Sequence, residues 1–474
     1  MKIKLRIISS LLAALVLYGC SEDFIDVPSN VETEEAITAQ NATELVNAIY
    51  NIFLQFSMSS FSWNGVSSMT SDDADKGSDP GDTGADKNLL DGLTFDATAL
   101  SFNEVWEAHY DGIQRANQAL SRLPDFELEA NLKDRLIGEA TFLRALMYFR
   151  LVKTFGGVPL ISEVPEIDSD PETLLRRAST EDTYAFIEED LTEAIILLPE
   201  KSEFPLSELG RATKGAAKTL LAKVSMYQNK WDQVLSLTNE VINSGEYSLT
   251  PDYAEVWKLE GENNEESIFE IQGRGELPAA GILEYSVSQG ARGLGGWGWG
   301  FNTPTEDLAN FYEEGDTRRD ATIIFRGEIL FDGREVPNTV SNPRYNQKAY
   351  SSRFTDQSES DKNIRILRYA EVLLMNAEAA TQTGGDALTP LNQVRNRAGL
   401  ADLSSADQAA VWRERRAELA FEHDRYFDLV RQGRAGVVLR AHGKPFVDGK
   451  HEVFPIPQQQ INISNGILVQ NNGY

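Results

Sequence analysis

The sequence predicts a mainly α-helical fold of antiparallel helix pairs, with long irregular loops and little β-structure. Three observations predict it. Apolar residues recur at helical spacing over several long segments. Some connections between those segments are so short that the helices must be antiparallel neighbours. In two extended stretches the periodicity stops, and glycine and aromatic residues accumulate.

The N-terminus is read first. Lys2, Lys4 and Arg6 precede an apolar stretch from Ile7 to Tyr18. It is too short for a membrane-spanning helix, which needs roughly 20 residues, and reads as the apolar part of a signal peptide over residues 1–19. It ends in Leu17-Tyr18-Gly19-Cys20, which looks like a bacterial lipobox, so Cys20 is expected to become the lipidated first residue of the mature chain. Cys20 is the only cysteine, so no disulfide can form within the chain. Two or more acyl chains on that residue give stable anchoring. Residues 20–40, with Ser21-Glu22-Asp23 and an acidic run after Pro28, read as the lipidated cysteine and a tether.

Helices are expected from there on, and residues 41–259 are the more regular part. Leu132, Leu136, Ala140, Leu143, Met147 and Leu151 form one stripe, stopped by Gly156-Gly157 and Pro159. Ala217, Leu220, Leu221, Val224 and Tyr227 form a second. Trp231, Val234, Leu235, Thr238 and Val241 form a third after a very short turn. Within 260–474, Ile366, Ala370, Leu373, Leu374 and Ala377 open another pair, completed by Leu391, Val394 and Ala398. Such pairs, with alanine at close contacts, are similar to tetratricopeptide units without the strict signature. The two parts are expected to form one compact unit. Residues 57–97 and 260–360 do not fit the helical scheme and are expected to be functional loops.

Composition excludes several classes of function. There are 44 Lys and Arg against 73 Asp and Glu, a formal charge of −29. That acidity argues against nucleic acid and against anionic membrane surfaces, so the only membrane contact expected is the lipid anchor. The four histidines form no HExxH pair, and no Cys/His cluster exists, so no metal is assigned. Asp73 and Asp75 match the first two EF-hand ligand positions, but Gly77 and Gly84 fall where oxygen ligands are needed. No phosphate-binding glycine motif is present, so no cofactor is expected. With 73 acidic residues, carboxylate pairs carry no signal for hydrolysis, and the chain is not expected to be an enzyme.

Seven blocks carry a resemblance over nearly the whole chain. They are ATFLRALMYFRLVKTFGGVPLI (140–161), GRATKGAAKTLLAKVSMYQ (210–228), GWGFNTPTEDLANFYEEGDTRRDATI (298–323), NIRILRYAEVLLMNAEA (363–379), LNQVRNRAGL (391–400), ERRAELAFEHDRYFDLVRQG (414–433) and VFPIPQQQINISNGILVQNNGY (453–474). In this order the chain resembles the SusD/RagB family of surface nutrient-binding lipoproteins. His423 stands where that family commonly has Gly, and Gly466 where it commonly has Pro. The resemblance implies a SusD-like fold with ligand-binding loops on one side. It also implies an outer-membrane, lipid-anchored location facing the exterior, and a SusC-like TonB-dependent barrel transporter as partner. The ligand implied is an oligosaccharide or polysaccharide, with a peptide or other nutrient as the alternative.

Glycan binding needs exposed aromatic planes for the apolar sugar faces, with carboxylates, amides or cations at their edges. Three segments supply candidates. In 61–79 they are Trp63 as platform with Asp72, Asp73, Asp75 and Lys76. In 285–302 they are Tyr285, Arg292, Trp297 and Trp299, set among glycines that let a ring stand clear of the backbone. Before the next helix they are Arg344, Tyr345 and Lys348. Each segment has a plainer reading as a loop anchored by its own aromatic residue. Trp106, Trp231, Trp257 and Trp412 sit on helical stripes and are expected to be core. The Arg413–Arg416 run is expected to be a helix face with local ion pairs.

Overall fold

A computed structural model describes residues 39–474 apart from 80, 83, 276, 278 and 352–357. The expected signal peptide, Cys20 and most of the tether lie outside the described residues. The last two tether positions already belong to the first helix, α1 (Ala39–Ile52).

The long helices that follow are α2 (Leu100–Arg122), α3 (Ala130–Phe155), α4 (Thr180–Leu197), α5 (Lys214–Tyr227), α6 (Trp231–Ser244), α7 (Tyr369–Thr383), α8 (Leu388–Arg397) and α9 (Gln408–Leu419). From α2 to α8 each packs on the next, and α9 returns onto α7. Local chemistry sets the ends. The Ser179 and Thr213 hydroxyls and the Asp407 carboxylate accept backbone N–H bonds at the starts of α4, α5 and α9. Gly245 and Gly384, both left-handed, close α6 and α7. Helix α3 is the central rod: every residue from Gly138 to Val152 is buried, so its environment is apolar or paired all round and a single stripe understates it. Helix α6 is amphipathic and buries Val234, Leu237, Thr238 and Val241. No helix among the described residues is long and apolar enough to cross a membrane.

Among the described residues the strands form four two-stranded antiparallel ribbons. They are β1 (Ala74–Gly77) with β4 (Phe301–Pro304), β2 (Ser267–Ile271) with β8 (Ile364–Arg368), β3 (Ile282–Leu283) with β7 (Glu359–Ser360), and β5 (Ile323–Phe325) with β6 (Arg344–Asn346). Ile366 therefore belongs to a strand and not to the helical stripe that opens a pair; the helix begins at Tyr369. One apolar core runs from Ala42 to Leu468 through both parts of the chain. A smaller one gathers Trp297, Ile324, Tyr345 and Tyr350.

Residues 57–97 depart most from expectation. They form two short helices, a π-helical turn over Gly65–Met69, β1 and a further helix, Ala85–Asp91. Most residues from Met58 to Ser78 are buried although many are polar. The polar groups find partners far away in sequence. Asp72 takes both arms of Arg425 at 2.8 Å.

The interior is unusually ionic. Glu418 is fully buried and accepts from Arg318 at 3.2 Å, Arg368 at 3.0 Å and Arg397. The Arg413–Arg416 run differs from expectation in the same way, because its main partners are distant. Glu414 meets Arg318 at 2.6 Å and Arg395 at 3.0 Å, and Arg415, nearly fully buried, meets Asp428 at 3.1 Å and Glu371 at 3.3 Å.

Two buried histidines tie stability to pH. Burial, then the nearby charge of Arg150, pushes His109 and His423 down to about 3 each, against roughly 6.5 in an unfolded chain. Between those values the unfolded chain binds protons that the folded chain excludes. Their contribution is full above about pH 6.5 and is lost as pH falls toward 3. The urea midpoint is expected to fall steadily from pH 7 to pH 5. A midpoint constant over that range would mean that both rings protonate in place.

Candidate functional site

After α1 the chain makes two short helices, Phe56–Ser59 and Phe61–Asn64, both against α2. Phe56 and Phe61 are left half-buried. From the other part of the chain, β4 lies on β1 with Phe301 opposite Gly77. A Cβ at Gly77, whose φ is +68°, would stand 2.4 Å from the Gly300 carbonyl, so the approach needs glycine. The preceding loop is pinned: the Trp299 N–H donates to the Val287 carbonyl and the Gly300 N–H to the Gly290 carbonyl, both at 2.8 Å. Trp299 thus projects from fixed backbone.

These residues form an aromatic ridge. Phe56 and Phe61 have centroids 5.4 Å apart. Phe61 meets the buried Phe301 edge-on at 4.6 Å and Trp299 edge-on at 6.3 Å. Trp299 is half-buried. Lys87 Nζ stands 4.3 Å over Phe61. Beyond Gly300, Arg292 is held by Asp79 at 2.8 Å and by the Ser78 hydroxyl at 2.8 Å. On the α2 side Glu104 accepts from the Ser62 hydroxyl. Strand β3 joins this face through the Leu283 N–H to Leu54 carbonyl bond at 2.9 Å, and Leu283 is exposed. Half-exposed rings bordered by fixed polar groups can take the apolar face and the hydroxyl edge of a pyranose.

Of the expected site residues, the structure brings only Trp299 and Arg292 to this ridge. Trp63 is a correction. It is 1% exposed, stacks on Phe427 at 6.2 Å and lies under Arg150 at 4.8 Å, so it offers no plane to solvent. Asp72 and Asp73 are buried ion-pair partners of Arg425 and Arg416. Burial alone would raise the Asp72 carboxyl, but Arg425 and Arg416 outweigh it and hold the group below the usual carboxylate range. Lys76 is buried on Asp82 at 3.0 Å and donates to the Asp79 carbonyl. Asp75 is exposed, but strand alternation turns it to the opposite face from Lys76, whose amine lies 5.7 Å over the Phe301 ring.

The later candidates are corrected for the same reason. Tyr285 is 4% exposed. Trp297 packs against Tyr345 and Tyr350 with Arg334 4.9 Å over its ring. Tyr345 is fully buried, and its hydroxyl accepts from Asn342 N–H at 2.8 Å. Arg344 is half-buried and donates to the Pro304 carbonyl at 2.8 Å. Lys348 is buried between Glu422, at 2.7 Å, and the Trp257 ring, and burial pulls its amine down to about 8. Trp297→Ala is therefore expected to lower stability by about 3 kcal/mol, the low end for a buried indole. Chemical denaturation checks this, and an unchanged midpoint would return Trp297 to the surface. Phe56 and Phe61 were not singled out from the sequence. The signal available was a run of phenylalanines, 53, 56 and 61, entering a serine-rich segment.

A cleft of about 740 Å³ lies elsewhere, between the start of α4 and the C-terminal segment, lined by Arg176, Arg177, Thr180 and Asn465 among others. It has no aromatic side chain and so no plane for a sugar.

Comparison with known proteins gives two family matches. Residues 23–226 match a SusD-like model described as starch-binding associating with outer membrane, and residues 265–474 match the SusD family model. A SusD-like protein of Bacteroides ovatus is 29% identical over 373 residues, covering 71% of this chain and 67% of that one. Among solved structures, a laminarin-binding SusD-like protein is 31% identical, with a TM-score of 0.79 over 92% of this chain and 99% of that one. Surface glycan-binding protein A of Bacteroides thetaiotaomicron, solved with laminarihexaose, is 25% identical, with a TM-score of 0.79 over 91% of this chain and 99% of that one. The chain belongs to the SusD/RagB family.

Proposed function

We propose that this protein is a non-catalytic, lipid-anchored binder of glycans at the cell surface, which passes oligosaccharides to a SusC-like TonB-dependent transporter in the outer membrane. The observation that carries the reading is the Phe56–Phe61–Trp299 ridge, with its half-exposed rings. Stacking takes the apolar sugar face there, and Arg292 with Asp79 reads hydroxyls at its border. Two relatives whose names record laminarin or laminarihexaose support the glycan class.

The test is a glycan array and calorimetry on the soluble chain from Ser21, with laminarin and laminarihexaose in the panel. Retention of at least one oligosaccharide is expected. Retention of a peptide pool with no glycan bound would replace this reading by the peptide one. Anchoring is tested separately: Cys20→Ala is expected to leave the protein soluble in the periplasm, measured by fractionation and surface labelling. Surface exposure of that variant would remove the lipid anchor from the account. Co-purification with a barrel transporter from the native outer membrane tests the partner.

A further inference from the structure

An internal cavity of about 30 Å³ lies where Trp63, Arg150 and Lys153 meet Lys223, His423 and Asp424. Its cations outnumber its anions. Asp424 is shared by Lys153 at 2.9 Å and Lys223. Glu422, the other carboxylate on the wall, is taken by Lys348 and Arg368, each at 2.7 Å. Glu371, which meets Lys223 at 3.0 Å, is shared with Arg415 at 3.3 Å. That leaves Arg150. It is 4% exposed, and the only hydrogen bond of its guanidinium among the described residues is to the Met58 carbonyl at 3.0 Å. No carboxylate among the described residues lies within 4.0 Å of it. Its other neighbours are the rings of Trp63 and Phe53, at 4.8 and 5.5 Å. A buried guanidinium without a counter-ion is costly.

Two further groups on the wall are unpaired: Trp63 Nε1 and His423 Nε2 are buried without a hydrogen-bond partner. His423 Nδ1 lies 3.2 Å from the Ser67 hydroxyl. The proton of that hydroxyl goes to the Trp63 carbonyl at 2.7 Å, so Nδ1 carries the ring proton and Nε2 is an acceptor. The size admits one particle a little larger than water.

We propose that this cavity is a site for one small monovalent anion of chloride type, held by Arg150 and the Trp63 indole N–H. The anion neutralises the Arg150 charge and gives the orphaned Trp63 N–H a partner. A water would satisfy the two orphans but would leave the charge. Because the wall combines residues from both ends of the chain, the ion also ties the ends together.

Crystals equilibrated in sodium bromide, measured at the bromine absorption edge, test the site on the unaltered protein. An anomalous peak beside Arg150 and Trp63 is expected. Water density in the cavity, or bromide only at the surface, overturns the proposal. In parallel, thermal unfolding is compared in sodium chloride and sodium gluconate at equal ionic strength, since gluconate is too large to enter. Chloride is expected to raise the midpoint by about 2 °C or more. Trp63→Phe, which keeps a ring and removes the N–H, is expected to reduce that difference, and Arg150→Met to abolish it. Should Arg150→Met not fold, Trp63→Phe and the bromide map decide. Equal midpoints in the two salts, or a bromide peak with no effect on stability, identify an adventitious ion only and overturn a built site.

Discussion

Trp299→Ala is expected to weaken glycan binding by about 1–3 kcal/mol, roughly 5- to 150-fold in Kd, while leaving the fold intact. The expectation of a large effect on binding rests on geometry. Trp299 is the widest ring of the ridge, it is half-buried, and it meets Phe61 edge-on at 88°. Its backbone is locked to Val287, so removing the indole takes away a pre-positioned plane. The expectation of an intact fold rests on packing, because the ring lies outside the apolar cores that hold Trp63 and Trp297. Calorimetry with an oligosaccharide that the wild type binds, beside a denaturation curve, separates the two. Unchanged affinity would exclude the ridge as the ligand site. A drop in stability comparable with the drop in affinity would make Trp299 a packing residue. Arg292→Ala is the milder companion, since Arg292 borders the ridge and Asp79 already occupies part of its donor set.

Glu418→Ala is expected to cause the largest loss of stability, about 3–5 kcal/mol. The side chain is fully buried among Arg318, Arg368 and Arg397. Burial by itself would raise the carboxyl, but the three guanidiniums hold it well below the usual carboxylate range, so it is an anion at every physiological pH. Truncation leaves three buried cations with one anion fewer. Glu266 and Glu422 still serve Arg368, and Asp316 still serves Arg318 at 2.7 Å; these remaining pairs are the reason the loss has a ceiling. Glu418→Gln keeps the shape and the acceptor oxygen, and is expected to lose less. Urea unfolding of the two variants checks the order. Equal and small losses would mean that the cluster relaxes to water.

How much was legible in the sequence follows from where each partner sits. Helices α3, α5 and α6 were legible because a helix writes its buried face into local periodicity, and glycine stops lie next to α3 and α6. Residues 57–97 were not. Ser67 meets His423 and Asp72 meets Arg425 from more than 350 positions away, so polar residues that read as a solvated loop are buried and paired. Trp297 and Trp299 show the limit most sharply. They are two residues apart, in the same glycine setting, with the same backbone parity. Tyr345 and Tyr350, some fifty residues downstream, cover one and leave the other. Phe56 and Phe61 became site candidates only because β4 brings Phe301 and Trp299 beside them.

By itself the sequence determined the helical frame and its family, since each is encoded in contiguous residues. Only the tertiary structure decided which aromatic rings reach solvent and which charges are spent on one another. Exposure is a property of what packs on top of a side chain, and here the covering residues are distant in sequence.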